Sequence, residues 1–152
     1  MSWLKRNAEP IEAVAASVTA CVTLGALVAI SIQLEANDLV SRQQSARESY
    51  RSHLALATAN PEFAAPADTC ALLQSDRAGA YESFVEHLFY SAEQMLAVED
   101  GWQDTFQEKL GQHAAYLCME DTARGDTPEL IALLQRFRAT ACTAEITCQT
   151  EN

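Results

Sequence analysis

The sequence has few of the residues that build common catalytic and cofactor sites. Its five glycines are scattered at positions 25, 79, 101, 111 and 125, so no glycine-rich loop is present to cradle a phosphate. Its three histidines and five cysteines form no CxxC, HExxH or CxxCH motif, which excludes the standard zinc and haem c signatures. The GxSxG motif of serine hydrolases is also missing. We therefore predict that the chain is not an enzyme and holds no metal or cofactor.

Positively charged residues are also scarce. The chain has 10 Lys and Arg against 21 Asp and Glu, a net charge of −11 at pH 7. Basic and acidic residues balance within 1–34, so 35–152 carries the whole net charge. Such a surface repels nucleic acid and anionic lipid headgroups. A basic soluble protein is a partner that would suit it, although solubility alone is the simpler explanation.

Charge of either sign is missing from Ala13 to Ile32. A helix of that length spans about 30 Å, the thickness of the hydrocarbon core of a bilayer. The apolar run is longer than the roughly 7–15 apolar residues of a signal peptide. We therefore predict a short stub at 1–10 and one uncleaved transmembrane helix at 11–34.

One row of this helix has only small side chains, repeating every four residues. Its members are Ala13, Ser17, Cys21, Gly25 and Ala29. A ridge of larger side chains, Val14, Val18 and Val22, lies beside it. Small residues let another helix approach closely in lipid, so we predict that this small-residue row is a helix-packing interface. The alternative is a chance register in an alanine-rich span.

The residues after the span predict an all-α fold. Neither Gly nor Pro occurs from Glu35 to Ala59, so the helix is expected to continue as a stalk at 35–60 and to end before Pro61. Apolar residues at helical spacing predict a helix at 78–98, a second at 102–120 and a third starting at Thr127-Pro128. No strand-like alternation is present. We predict a small antiparallel bundle at 61–141 and an irregular tail at 142–152.

Four cysteines lie outside the span: Cys70, Cys118, Cys142 and Cys148. An even set in a small domain favours disulfides and an oxidising compartment, and the alternative is four buried thiols. If the helices at 78–98 and 102–120 form a hairpin, Cys70 and Cys118 lie close together. That geometry predicts a Cys70–Cys118 bond and leaves Cys142 to pair with Cys148.

The histidines and two further aromatic residues are expected to have structural rather than functional roles. His53, His87 and His113 are expected to be surface or partly buried residues of the bundle. Phe89 and Tyr90 fall outside the main apolar stripe of their helix, where they belong to the core, to an ordinary surface or to a partner-facing patch.

Several short motifs have a familiar order. They are Asn60-Pro61-Glu62, the aromatic-rich stretch FVEHLFYSAEQM at 84–95, Gly101-Trp102 and TPELIALLQ at 127–135. In this order the chain resembles a broad group of small bacterial single-span membrane proteins with a C-terminal helical domain. The resemblance implies the fold and no activity.

We accordingly expect an accessory or structural subunit of a larger integral membrane complex, whose span packs against the helices of other membrane proteins. The expected location is the bacterial inner membrane, with one pass and the C-terminal domain in the periplasm. The alternative is a regulatory or signalling protein that self-associates through the same small-residue row as a homo-oligomer.

Overall fold

The structure, a computed structural model, describes residues 8–119, 125–142 and 148, with side chains from Val14 onward. All regular structure in these residues is helical, as predicted. The helices are α1 (Ala8–Ala59), α2 (Pro61–Ala64), α3 (Thr69–Leu73), α4 (Ala78–Leu96), α5 (Gln103–Gly111), α6 (Ala114–Leu117) and α7 (Pro128–Ala141). The chain divides into two compact units, with the boundary between Ser41 and Arg42. Residues 1–7 of the predicted stub and most of the predicted tail lie outside the described residues.

The first unit is the N-terminal part of α1. Among the described residues, α1 is the one helix that is long and apolar enough to cross a membrane, by length and composition, and none of its apolar window is buried. The predicted end before Pro61 is confirmed, since α1 closes at Ala59. One long apolar helix followed by a smaller helical region is the architecture expected from the sequence.

The core of the second unit is centred on α4. The predicted apolar stripe ends at Leu96, which is half-buried, and its other members are buried: Tyr81, Phe84, Val85, Leu88, Ala92 and Met95. The apolar faces of α5 and α7 complete the core with Phe106, Leu110, Leu130, Leu134 and Phe137. Phe89 is also buried whereas Tyr90 is exposed, so the two residues do not form a shared surface patch.

The C-terminal part of α1 belongs to this core. Ala46 and His53 are buried, and the Tyr50 ring packs edge-on against Trp102 and Phe106 at centroid distances of 4.9 and 5.6 Å. The segment predicted as a stalk, 35–60, therefore contains residues that pack inside the bundle. The buried face is spaced three and four residues apart, which is one side of an α-helix.

The predicted hairpin of α4 and the following helix is present. Tyr81, near the start of α4, contacts Tyr116 in α6 at a ring distance of 5.6 Å. The single helix predicted at 102–120 is, however, broken into α5 and α6 at Gln112 and His113. Gly111 closes α5, and glycine lowers helix stability at that point.

The predicted disulfide pairing is wrong. Cys70 is bonded to Cys148, and Cys118 is bonded to Cys142. The hairpin does bring α3 close to α6. However, the end of α7 also lies beside Cys118, because the Arg138 side chain donates a hydrogen bond from Nε to the Leu117 carbonyl at 3.2 Å. Cys142 follows the last residue of α7 and therefore lies next to Cys118. Cys70 pairs instead with Cys148 in the tail.

The start of α7 is confirmed as predicted. The Thr127 side chain accepts a hydrogen bond from the Leu130 amide, and Pro128 occupies the first turn. Glu93 of α4 accepts hydrogen bonds from the amides of Asp126 and Thr127 at 3.0 and 3.1 Å. Three backbone donors at this helix start are thereby satisfied, which fixes the entry of α7 against α4.

Candidate functional site

The small-residue row lies on the exposed surface of α1. Ser17, Cys21, Gly25 and Ala29 are all exposed, and the side chain of Ala13 lies outside the described residues. A Cβ atom added to Gly25 would meet no other atom within 4 Å. The row therefore forms a shallow groove beside the exposed valine ridge, a shape that allows close approach of a second helix.

Three hydroxyl groups of this segment are satisfied within the helix. Thr19 donates to the carbonyl of Ala15 at 2.9 Å, and Thr23 donates to the carbonyl of Thr19 at 2.8 Å. Ser31 donates to the carbonyl of Leu27 at 3.1 Å. Because these donors already have partners, the helix surface can face lipid or another helix without leaving them unpaired.

A second candidate site was missed by the sequence analysis. The three histidines were expected at the surface or partly buried, but His53 and His113 lie in the core with 3% and 2% of their surface exposed. The rings of His53 and His87 are stacked at 5.8 Å, and Phe84 lies 5.0 Å from His53 and 5.9 Å from His113. We refer to His53, His87 and His113 as the histidine cluster.

The hydrogen bonds of the cluster are incomplete. The Tyr81 hydroxyl is bonded to Nδ1 of His113 at 3.0 Å. Within the described part of the chain, the buried Nδ1 atoms of His53 and His87 have no hydrogen-bond partner. Buried polar groups are usually paired, so two unpaired ring nitrogens in one cluster single it out as a candidate site.

Burial controls the protonation of His53 and His113. Loss of solvent, with smaller contributions from the neighbouring His87 and the Lys109 charge, lowers the pKa of His53 to about 4. Burial also lowers the pKa of His113 to about 4, with a smaller contribution from His53. His53 lies outside the predicted membrane segment at 11–34 and is buried in the bundle. Both rings are neutral at pH 7.

A cavity of about 290 Å³ lies against the cluster, and we call it the histidine cleft. Its polar lining comes from His53 of α1, Lys109 of α5, Gln112 and His113. Its apolar lining is Leu54, Ala57, Ala64, Ala65, Phe84 and Leu88. Within the described residues no Asp or Glu lines the cleft, although the full chain carries 21 of them. An apolar wall combined with a few polar groups is the kind of lining found in small-ligand sites.

The cluster does not form a metal centre in the described residues, which contain no group of three His, Cys, Asp or Glu side chains placed to hold an ion. Lys109 beside the two buried rings also disfavours a cation electrostatically.

The spacing of the buried histidines was the signal that could have found them. On α1, Ala46 and His53 are buried, and Tyr50 and Ala57 on the same side are half-buried. From α5 to α6, Phe106, Leu110, His113 and Leu117 are buried at the same spacing. Each histidine thus occupies an inward position of a three-and-four-residue repeat, and this position, rather than its residue type, predicts burial.

Comparison of the chain with protein-family models, with curated proteins and with solved structures finds no match. The resemblance to small bacterial single-span membrane proteins therefore stays a prediction, and the geometry of the two candidate sites carries the functional interpretation.

Proposed function

We propose that the chain is an accessory subunit of a larger integral membrane complex and that it binds the other subunits through the small-residue row. The observation that carries the proposal is the exposed groove at Cys21, Gly25 and Ala29, beside which the valine ridge offers a surface for interlocking. Close packing of small residues, rather than hydrophobic burial, is what drives helices together in lipid.

The expected location is the bacterial inner membrane, with the second unit in the periplasm. The two disulfides support that orientation, because such bonds persist in oxidising compartments and are rare in the cytosol. In the periplasm the acidic second unit attracts a basic soluble protein. Binding of such a partner should weaken steeply as salt is added, since the Debye length shrinks to about 8 Å at 0.15 M salt.

Substitution of Gly25 by isoleucine tests the membrane interface. A Cβ atom at this position has open space around it, so a larger side chain can be placed there. Gly25→Ile should reduce the amount of partner that co-purifies with the tagged protein from native membranes. Ala20→Ile is the matched control, because residue 20 lies about 140° around the helix from Gly25. Equal recovery of partners by Gly25→Ile and Ala20→Ile would refute the interface.

Self-association through the same row is the second candidate function, and Cys21 tests it directly. All five cysteines are described, and Cys21 is the one that is free and exposed. A homodimer packed through the small-residue row brings two copies of Cys21 together, so mild oxidation in membranes should give a covalent dimer. A heteromeric subunit should instead give a monomer or a mixed product with its partner.

A further inference from the structure

We infer that the histidine cleft is a binding site for a small carboxylate with an apolar body. The inference does not depend on the proposed membrane interface, because every residue that lines the cleft lies in the second unit.

The sign of the charge in the cleft points to an anion. Lys109 is the only lysine in the segment 35–152, and it lies in the lining of this cavity. Within the described residues Lys109 forms no ion pair, whereas Arg47, Arg51 and Arg77 each pair with a glutamate. An unpaired ammonium beside two imidazoles and the Gln112 amide provides a set of donors for one carboxylate.

The walls of the cleft are suited to an apolar body. Phe84 and Leu88 contribute large apolar side chains, and three alanines leave the space open. A dry cavity of about 150 Å³ holds benzene, so the volume of about 290 Å³ has room for an aromatic ring with its carboxylate. Benzoate is therefore a suitable probe of the ligand class.

Binding of a carboxylate should be coupled to proton uptake. The groups that face the cluster are His53 on α1, His87 and Tyr81 on α4, and Lys109 on α5, with His113 following that helix. None of them is acidic, so a bound carboxylate adds the missing negative charge. It raises the pKa of His53 and His113 in the complex above the value of about 4 in the free protein, and by linkage the affinity rises as the pH falls toward that value.

Histidine ring resonances report directly on the site. The chain has three histidines, so the full-length untagged protein in lipid nanodiscs should show three ring signals after selective labelling. Titration with benzoate at pH 6.5 should shift the signals of His53 and His113 in a saturable manner. Benzyl alcohol, which has a similar body and no charge, should bind about tenfold more weakly, because it lacks the charge-assisted hydrogen bonds.

Matched variants separate this site from nonspecific binding. Lys109→Met keeps the length of the aliphatic stem and should lower benzoate affinity about tenfold. Arg51→Met removes one positive charge from an exposed position on α1, and its benzoate affinity should stay within about twofold of the unmodified protein. Ala57→Leu fills the cleft and should abolish saturation. Failure of benzoate to shift the signals, equal affinity for benzyl alcohol, or unchanged affinity of Lys109→Met would each overturn the inference.

Discussion

Acidification should destabilise the second unit, because its buried histidines take up protons on unfolding. His53 and His113 are neutral in the folded chain, where burial holds the pKa of each ring at about 4, against 6.5 for an unperturbed histidine. The unfolded chain therefore binds more protons than the folded chain between pH 6.5 and pH 4. Since protons then favour the unfolded state, the free energy of unfolding falls as the pH falls through this window.

The size of the effect follows from the two pKa values. At pH 5 an unfolded histidine is almost fully protonated, whereas a folded ring with a pKa of about 4 is mostly neutral. Integrating the linkage relation from pH 7.5 to pH 5 gives a loss of about 2 kcal/mol per ring, or about 4 kcal/mol for the pair. Domains are typically stable by about 5–15 kcal/mol, so this loss is a large share of the total.

Urea unfolding followed by tryptophan fluorescence measures the loss. Trp102 packs against Tyr50 and Phe106, so its emission should change when the second unit opens. The sequence has two tryptophans, and a Trp3→Phe background leaves Trp102 as the only reporter. The free energy of unfolding at pH 5 should be about 4 kcal/mol lower than at pH 7.5, with both disulfides kept oxidised.

The sign of the pH dependence makes the result decisive. A chain with a net charge of −11 repels itself, so partial neutralisation by acid would otherwise stabilise the folded state. The double variant His53→Phe with His113→Gln removes both buried titrating rings and should lose little stability between pH 7.5 and pH 5. Equal losses in the double variant and the unmodified protein would show that other groups control the acid response.

The remaining predictions concern covalent and capping contacts of the second unit. Non-reducing peptide mapping should find Cys70 joined to Cys148 and Cys118 joined to Cys142. Replacing Cys118 and Cys142 together by serine should cost about 3.5 kcal/mol in urea unfolding, because that bond closes a loop with a sequence separation of 24. The same change at Cys70 and Cys148, with a separation of 78, should cost about 4.5 kcal/mol. Thr127→Ala should cost about 1 kcal/mol, measured in the same way, because it removes the hydrogen-bond acceptor for the Leu130 amide.

Local periodicity was sufficient to predict most of the helices. On α4 the large apolar residues recur at three- and four-residue spacing, and every one from Tyr81 to Met95 on that stripe is buried. The start of α7 was equally predictable, because a capping threonine followed by proline has a direct structural meaning. These features depend on interactions between residues that are close in sequence, and such interactions can be predicted from a single sequence.

The disulfide pairing could not be predicted in the same way. The hairpin of α4 with α5 and α6 was correct, yet it gave the wrong partner for Cys70. The pairing depends on where the end of α7 lies, and Arg138 contacts the Leu117 carbonyl across 21 residues of chain. No local pattern specifies such a long-range contact, so the hairpin alone selected the wrong pairing.

The histidine cluster was missed because residue type was weighed above position. At pH 7 the His53 ring is mostly neutral in both the unfolded and the folded chain, where its pKa is about 4. Its burial therefore lowers the free energy of unfolding very little through protonation at that pH. In acid, burial of the same ring lowers the free energy of unfolding, because the unfolded chain gains a proton that the folded chain does not bind. A bundle core built only of leucines would have no such pH dependence.

If the second unit lies in the periplasm, where the pH follows the surroundings, these rings make its stability responsive to external acid. A bound carboxylate, by raising their pKa values, would offset that loss at the pH where it is greatest.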